Sequence, residues 1–242
     1  MATIAVGRRN AERRFYTGMA IMMIVLVLIG FAPSFYFRGL VHYPRPNPVI
    51  SPFVLFHGLV FSAWMLLFLA QTQLIAGGRR AVHMALGGVG MVFAAALVPV
   101  MYLTAVGQVA RANQPPGTTP LGWTAMGLFP IPLFVLLVWL GWRHRRDAQA
   151  HKRLMLCAAL MMTDPAIGRF PIAPPTPLGQ GLLALLTLAA FIPLMLWDRR
   201  TLGRLHWATK LGFAGFGLLM AVRLYAVYSP AWAAFAAHLP GV

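Results

Sequence analysis

His151–Pro171 reads HKRLMLCAALMMTDPAIGRFP, and the fold is decided by how this stretch is read. Most of it is apolar, yet it carries Asp164, a carboxylate set inside a long hydrophobic segment. Pro165 follows directly, and His151 and Arg169 lie near the two ends. A charge in hydrocarbon is costly, so it faces a bundle interior and marks a candidate site. The stretch therefore predicts a membrane-spanning helix that turns a polar group toward its neighbours. Asp-Pro also suits the start of a short helix, with Pro at its first position. On that plainer reading Asp164 caps an outer helical turn after the span ends early.

The rest of the chain agrees with a membrane setting. Of 242 residues, 60% are hydrophobic and 10% charged, and the mean hydropathy is +0.73. Such values fit an integral membrane protein better than a soluble domain. A net charge of +16 would suggest nucleic acid in a soluble protein. Here the bases lie between apolar runs, so the expected partner is anionic lipid, with no nucleic acid. A membrane-protein partner is left open. The single Cys157 excludes an internal disulfide and a cysteine metal cluster.

Working outward, seven runs are long enough to cross: about 15–37, 52–76, 83–106, 120–142, 148–170, 178–197 and 206–229. Each is near the ~20 residues that span the hydrocarbon core. The breaks are short and built from Gly, Pro and bases: YPRPNP, AGGRRA, NQPPGTTP, RHRRDAQAHKR, PIAPPTP and DRRTLGR. The expected fold is an all-α integral membrane protein, a seven-transmembrane-helix bundle. Residues 1–14 form a basic cytoplasmic lead, and 230–242 a short outer tail. A cleaved signal peptide is the rival for the first run, since Ala32-Pro33-Ser34 loosely resembles a cleavage site. That run is long for a signal peptide's apolar core.

Base distribution orients the bundle. Fifteen bases fall on one side: Arg8, Arg9, Arg13, Arg14, Arg79, Arg80, Arg143, Arg145, Arg146, Lys152, Arg153, Arg199, Arg200, Arg204 and Lys210. Five remain for the other: Arg38, Arg45, Arg111, Arg169 and Arg223. The positive-inside rule then places the N-terminus in the cytoplasm and the C-terminus outside, in a bacterial-type inner (plasma) membrane. Six of the seven Trp lie near span ends, as an interfacial belt requires, and Trp64 alone is mid-span.

Two polar levels emerge. In the outer half, His57, Asp164 and Arg223, joined by Arg169 and Tyr102, form an expected buried polar cluster. Asp164 and Arg223 each lie roughly 9 Å inside their outer span ends at 1.5 Å per residue. An unpaired buried charge costs far more than a pair, so Arg223 is the expected counter-ion. Its alternative is an arginine snorkelling to headgroups. His57 heads a helical stripe with Phe61, Trp64, Phe68 and Gln71. It is either a ligand or proton carrier, or a histidine bonded to a neighbouring helix.

At the cytoplasmic rim, His83, His151 and His206 open three spans that run the same way. Three His can bind a metal, and two can ligate a haem. The plainer reading is interfacial His beside the lipid-headgroup bases Arg79, Arg80, Lys152, Arg153 and Arg204. Small-residue faces at His83/Gly87/Gly90/Ala94 and Ala208/Gly212/Gly215 suit helix packing. Lys210 lies too near a span end, with no carboxylate opposite, for a retinal Schiff base.

The functional expectation is an inner-membrane protein holding a small cofactor or metal, haem b or a transition metal, through His83, His151, His206 and His57. Its role would be redox or cofactor handling, and the bundle is similar in style to b-type cytochromes. Two rivals stand beside it. One is a proton-coupled transporter or channel using Asp164, Arg223 and His57. The other is a non-catalytic assembly or lipid-interacting protein.

Overall fold

A computed structural model describes residues 2–40, 49–172 and 176–242. The YPRPNP break, Arg45 and part of PIAPPTP lie outside the described residues. Helix accounts for 78% of the structure and there is no strand among the described residues, so the all-α class holds. In chain order the helices are α1 (Ala2–Phe31), carried on by a π-helical turn at Ala32–Tyr36, then α2 (Pro52–Ala76) and α3 (Arg80–Gly107). Next come α4 (Pro120–Leu128), α5 (Pro130–Arg143), α6 (Ala148–Met161) and α7 (Asp164–Ile167). The chain closes with α8 (Pro177–Ala189), α9 (Ile192–Leu202), α10 (Trp207–Val227) and α11 (Pro230–Ala236).

Local chemistry starts these helices. Ser51, Thr119, Thr176 and Ser229 each precede a proline. In each the hydroxyl accepts from the backbone N–H three residues on, at Val54, Gly122, Gly179 and Trp232. Proline fits the first helical position because its missing N–H has no partner to lose there. At the opposite end of the bundle Asp147 caps α6, accepting from Gln149 (2.9 Å) and Ala150 (3.2 Å). His206 caps α10 through Nδ1, which accepts from Ala208 N–H at 3.2 Å.

Six helical stretches are long and apolar enough to cross a membrane: Arg9–Tyr36, Pro52–Ala76, Arg80–Gly107, Pro120–Arg143, Leu178–Leu202 and Trp207–Val227. They are the mark of a multi-pass membrane protein. The first extends back through the expected basic lead, which is helical rather than a separate segment. Prolines interrupt two others, between α4 and α5 at Pro130 and between α8 and α9 before Pro193. A proline ring removes a helix hydrogen bond and clashes with the preceding turn.

The fifth expected span, 148–170, is divided. α6 stops at Met161 after 14 residues, about 21 Å at 1.5 Å per residue, short of the ~30 Å hydrocarbon core. Thr163 leads into the four-residue α7. This divided element lies at the centre: Leu154, Leu156, Cys157, Ala158, Ala159 and Leu160 are fully buried. α6 packs on α5 and α10, and α7 on α1 and α8. Around them α1 meets α2, α2 meets α3, α3 meets α4 and α5, and both meet α10, which meets α8. Phe15 stacked on Trp197 at 4.5 Å brings α1 to α9. Two glycines allow the closest approaches. A Cβ on Gly212 would stand 2.4 Å from Cys157 Sγ, and one on Gly30 would overlap the Ala166 carbonyl.

The expected outer tail is also structured. α11 rests on α4, with Trp232 Nε1 donating to Thr124 Oγ1 at 3.2 Å and its ring against Phe129.

Candidate functional site

Asp164 opens α7 and is not its cap. Thr163 takes the cap position without a side-chain bond, and the Asp164 carboxylate turns to Arg223 on α10. Arg223 Nη1 donates to Oδ2 at 2.7 Å and Nη2 to Oδ1 at 2.8 Å, a two-pronged pair. Thr187 Oγ1 reaches the same carboxylate at 3.3 Å, and Met220 Sδ accepts from Nη2. The Arg223 side chain is 2% exposed, so it does not snorkel, and Asp164 is 11% exposed. The divided helix explains the position, because ending α6 at Met161 lets the Asp-Pro step turn its first carboxylate sideways.

Asp164 borders a cavity of about 1830 Å³ that His57, Thr104, Arg169 and Trp123 also line. His57 Nδ1 lies 2.9 Å from Thr104 Oγ1. The Thr104 hydroxyl spends its single proton on the Val100 carbonyl at 2.7 Å. With its proton so placed, the Thr104 oxygen accepts from the Nδ1–H tautomer of His57, whose Nε2 then carries the lone pair. Arg169 stands at the exposed rim, donating to the Pro165 carbonyl and lying over the Phe31 ring at 4.4 Å. Tyr102 takes no part in this site. Its hydroxyl donates to the Pro240 carbonyl at 2.9 Å and pins the chain end to α3.

At the other end of α3, two of the three expected histidines meet. His83 and His151 have ring centroids 6.2 Å apart with planes at 83°. Each Nδ1 is engaged. His151 Nδ1 donates to the Gly141 carbonyl at 2.8 Å. The Gln71 amide donates to His83 Nδ1 (2.6 Å) and the His83 carbonyl (3.2 Å), and its oxygen accepts from Gly87 N–H (3.0 Å). His206 stands apart as the α10 cap, beside Trp207. Among the described residues no group of three or more His, Cys, Asp or Glu is placed to hold a metal ion.

A second buried ion pair lies near this end, and sequence reasoning missed it. Arg153, expected to face lipid phosphates, is 1% exposed, and Asp198, expected in a loop, is fully buried. Arg153 Nε donates to Asp198 Oδ1 at 2.7 Å, and Nη1 donates to Gln149 Oε1 at 2.6 Å. Asp198 Oδ2 accepts from Thr209 Oγ1 (2.6 Å) and His206 N–H (2.9 Å). Asp164 is thus not the lone buried acid. Lys152, another expected headgroup base, pairs with Glu12 at 2.6 Å. Arg79, Arg80 and Arg204 are exposed. The signal for Asp198 was its spacing from the α10 cap. It was hidden by Arg199 and Arg200 beside it, which read as a loop.

Outside the spans, two groups are shifted. The Ala150 N–H bond, against a smaller effect of burial, holds the Asp147 carboxyl below the usual carboxylate range. Burial, reinforced by Arg153, pushes the His206 imidazole below the usual histidine value.

Comparison with family models, with curated proteins and with solved structures returned no match to this chain.

Proposed function

We propose that this is a multi-pass membrane protein that holds a haem through His83 and His151, in a redox or cofactor-handling role. The single observation behind this reading is the His83–His151 pair. With metal–nitrogen bonds of about 2.0 Å and each ring nitrogen about 1.1 Å from its ring centroid, two imidazoles on one metal would stand at most about 6.2 Å apart between centroids. The observed separation is 6.2 Å, with perpendicular rings. Engagement of both Nδ1 atoms leaves Nε2 as the ligating nitrogen on each ring. The Gly141 carbonyl is the kind of partner that fixes a ligating histidine's tautomer. On His83, ligation through Nε2 places the proton on Nδ1, and the Gln71 amide turns over so that its oxygen accepts it.

Two imidazoles fall short of the ligand set of a structural zinc site. They are the full axial set of a haem iron, whose other four ligands come from the porphyrin. Both rings are half-buried.

In this proposal α6 and α7 form an enclosed seventh crossing, shielded by the six longer ones. The fifteen-to-five base asymmetry puts the N-terminus and the histidine pair on the cytoplasmic side of an inner membrane. The exposed Arg79, Arg80 and Arg204 contact anionic headgroups there.

The test is a visible spectrum of protein purified after expression with added haemin. A Soret band that is lost in His83→Ala and in His151→Ala, but kept in His206→Ala and His57→Ala, supports the assignment. A colourless protein after haemin reconstitution, or a band that survives the His83→Ala/His151→Ala double change, overturns it.

A further inference from the structure

The cavity beside Asp164 lies at the far end of α3 from the histidine pair, and it gathers several hydrogen-bond acceptors. Two hydroxyls on its inner wall have already spent their protons on the protein. Thr104 donates to the Val100 carbonyl, and Ser62 donates to the Gly58 carbonyl at 2.7 Å. Tyr36 and Ser62 oxygens lie 2.7 Å apart, so with the Ser62 proton engaged it is Tyr36 that donates. Three acceptors border the cavity: the His57 Nε2 lone pair, the Tyr36 oxygen and the Asp164 carboxylate. A set of acceptors bordering one space suits a ligand that brings the protons. Two cations line it as well, Arg169 held by the Pro165 carbonyl and Arg111 by the Val49 carbonyl.

The remaining wall is apolar and aromatic. Phe61 lies against the His57 ring at 4.4 Å between centroids, and Phe31, Phe35, Phe53 and Trp123 complete the lining. Ligand sites are mostly apolar with a few convergent polar groups, and drug-sized ones run to about 1,000 Å³. This cavity, at about 1830 Å³, has room for a ring and a hydrocarbon tail.

We propose that this cavity binds a lipid-soluble hydroquinone: a flat aromatic head whose hydroxyls donate to His57 Nε2 and its neighbouring acceptors, followed by an alkyl tail. The inference concerns binding and stands apart from the His83–His151 reading. Thr104 acts as a positioning residue, because its oxygen fixes the His57 tautomer that leaves Nε2 free to accept.

The test compares 2-decylhydroquinone with its 1,4-dimethyl ether, which keeps the ring and tail but has no donors. Binding is followed under argon by quenching of tryptophan fluorescence in lipid nanodiscs, with empty nanodiscs as the blank. The hydroquinone is expected to bind at least tenfold more tightly than the ether. His57→Ala should bring the two affinities together while leaving the ether's affinity unchanged. Thr104→Val, close in shape, should reduce the preference several-fold by releasing Nδ1, and it serves if the alanine variant fails to fold. Equal affinities in the parent protein, no binding of either compound, or a preference untouched by whichever variant folds, overturns the proposal. Haem content plays no part in the readout, so this result and that of the spectral test fail independently.

Discussion

Arg153 sits in the sequence among bases that read as a cytoplasmic collar, yet its guanidinium is closed off against Asp198, Gln149 and the α10 start. Removing one member of such a buried pair strands the other, at about 3–5 kcal/mol, whereas replacing both with apolar groups is near neutral. Arg153→Met should therefore lower the melting temperature sharply in detergent, and Arg153→Met with Asp198→Leu should recover much of the loss. A double variant no better than the single one would show that the pair is not the source. The Asp164–Arg223 pair invites the same cycle, with one difference. Asp164 borders a cavity, so water can reach the stranded carboxylate and Arg223→Leu should cost less than Arg153→Met. His206 supplies a pH dependence. Burial lowers its folded-state pKa below the unfolded value near 6.5. A group depressed in this way adds stability above that unfolded value and loses it as pH falls through the folded one. Protonation fills Nδ1, the atom that accepts from Ala208. Melting temperature should fall as pH drops below about 6.5, and His206→Asn, which can still cap, should flatten part of that fall. An unchanged slope in the variant would place the dependence elsewhere. Depth counting from span ends put Asp164 and Arg223 at one level, because their segments are uniformly apolar. It missed Arg153 and Asp198 because charged neighbours on both sides disguise a buried charge as part of a loop.

Four helices begin with a hydroxyl residue followed by proline, at Ser51, Thr119, Thr176 and Ser229. All four stand at the end of the bundle that carries Asp164. Thr119→Ala removes the acceptor for Gly122 N–H, a 2.9 Å bond, and should cost about 1 kcal/mol. Thr119→Ser should cost little, and a loss from Ser equal to that from Ala would point to packing of the methyl group instead. These starts were legible as dipeptides, and the helices behind them as apolar runs of the right length. The divided fifth element was only half legible. Its Asp-Pro step predicts an early end, which α6 shows, but the same step also predicts a cap, and the carboxylate went to Arg223 instead. Propensity describes what a residue does for its own helix. It is silent on a partner 59 residues away, and at that distance an ion pair outweighs a cap bond worth about 1 kcal/mol.

At the scale of the molecule, an apolar sequence reveals how many stretches can cross but not which of them lies inside. Nothing in the residues 148–170 taken alone says that six other helices surround them; the alanines and Cys157 pack centrally because Gly212 leaves them room. Orientation is open to a direct test. A reporter fused after Val242 should register the outer compartment and one in the loop around Arg145 the cytoplasm. The same side for both would mean an even number of crossings. The enclosed α6 also bears on how the protein is made. Its first turns carry Gln149, His151, Lys152 and Arg153, and a Lys or Arg costs a lone crossing up to about 2.5–3.5 kcal/mol at its centre and less toward its ends. The carboxylate that neutralises Arg153 comes from α9, some 45 residues later in synthesis. Nascent α6 therefore leaves the ribosome with its counter-ion unmade, and must wait at the membrane surface or in the insertion channel until Asp198 arrives. A chain stopped before Asp198 should be cleared by quality-control proteolysis, whereas one stopped after Val227 should persist.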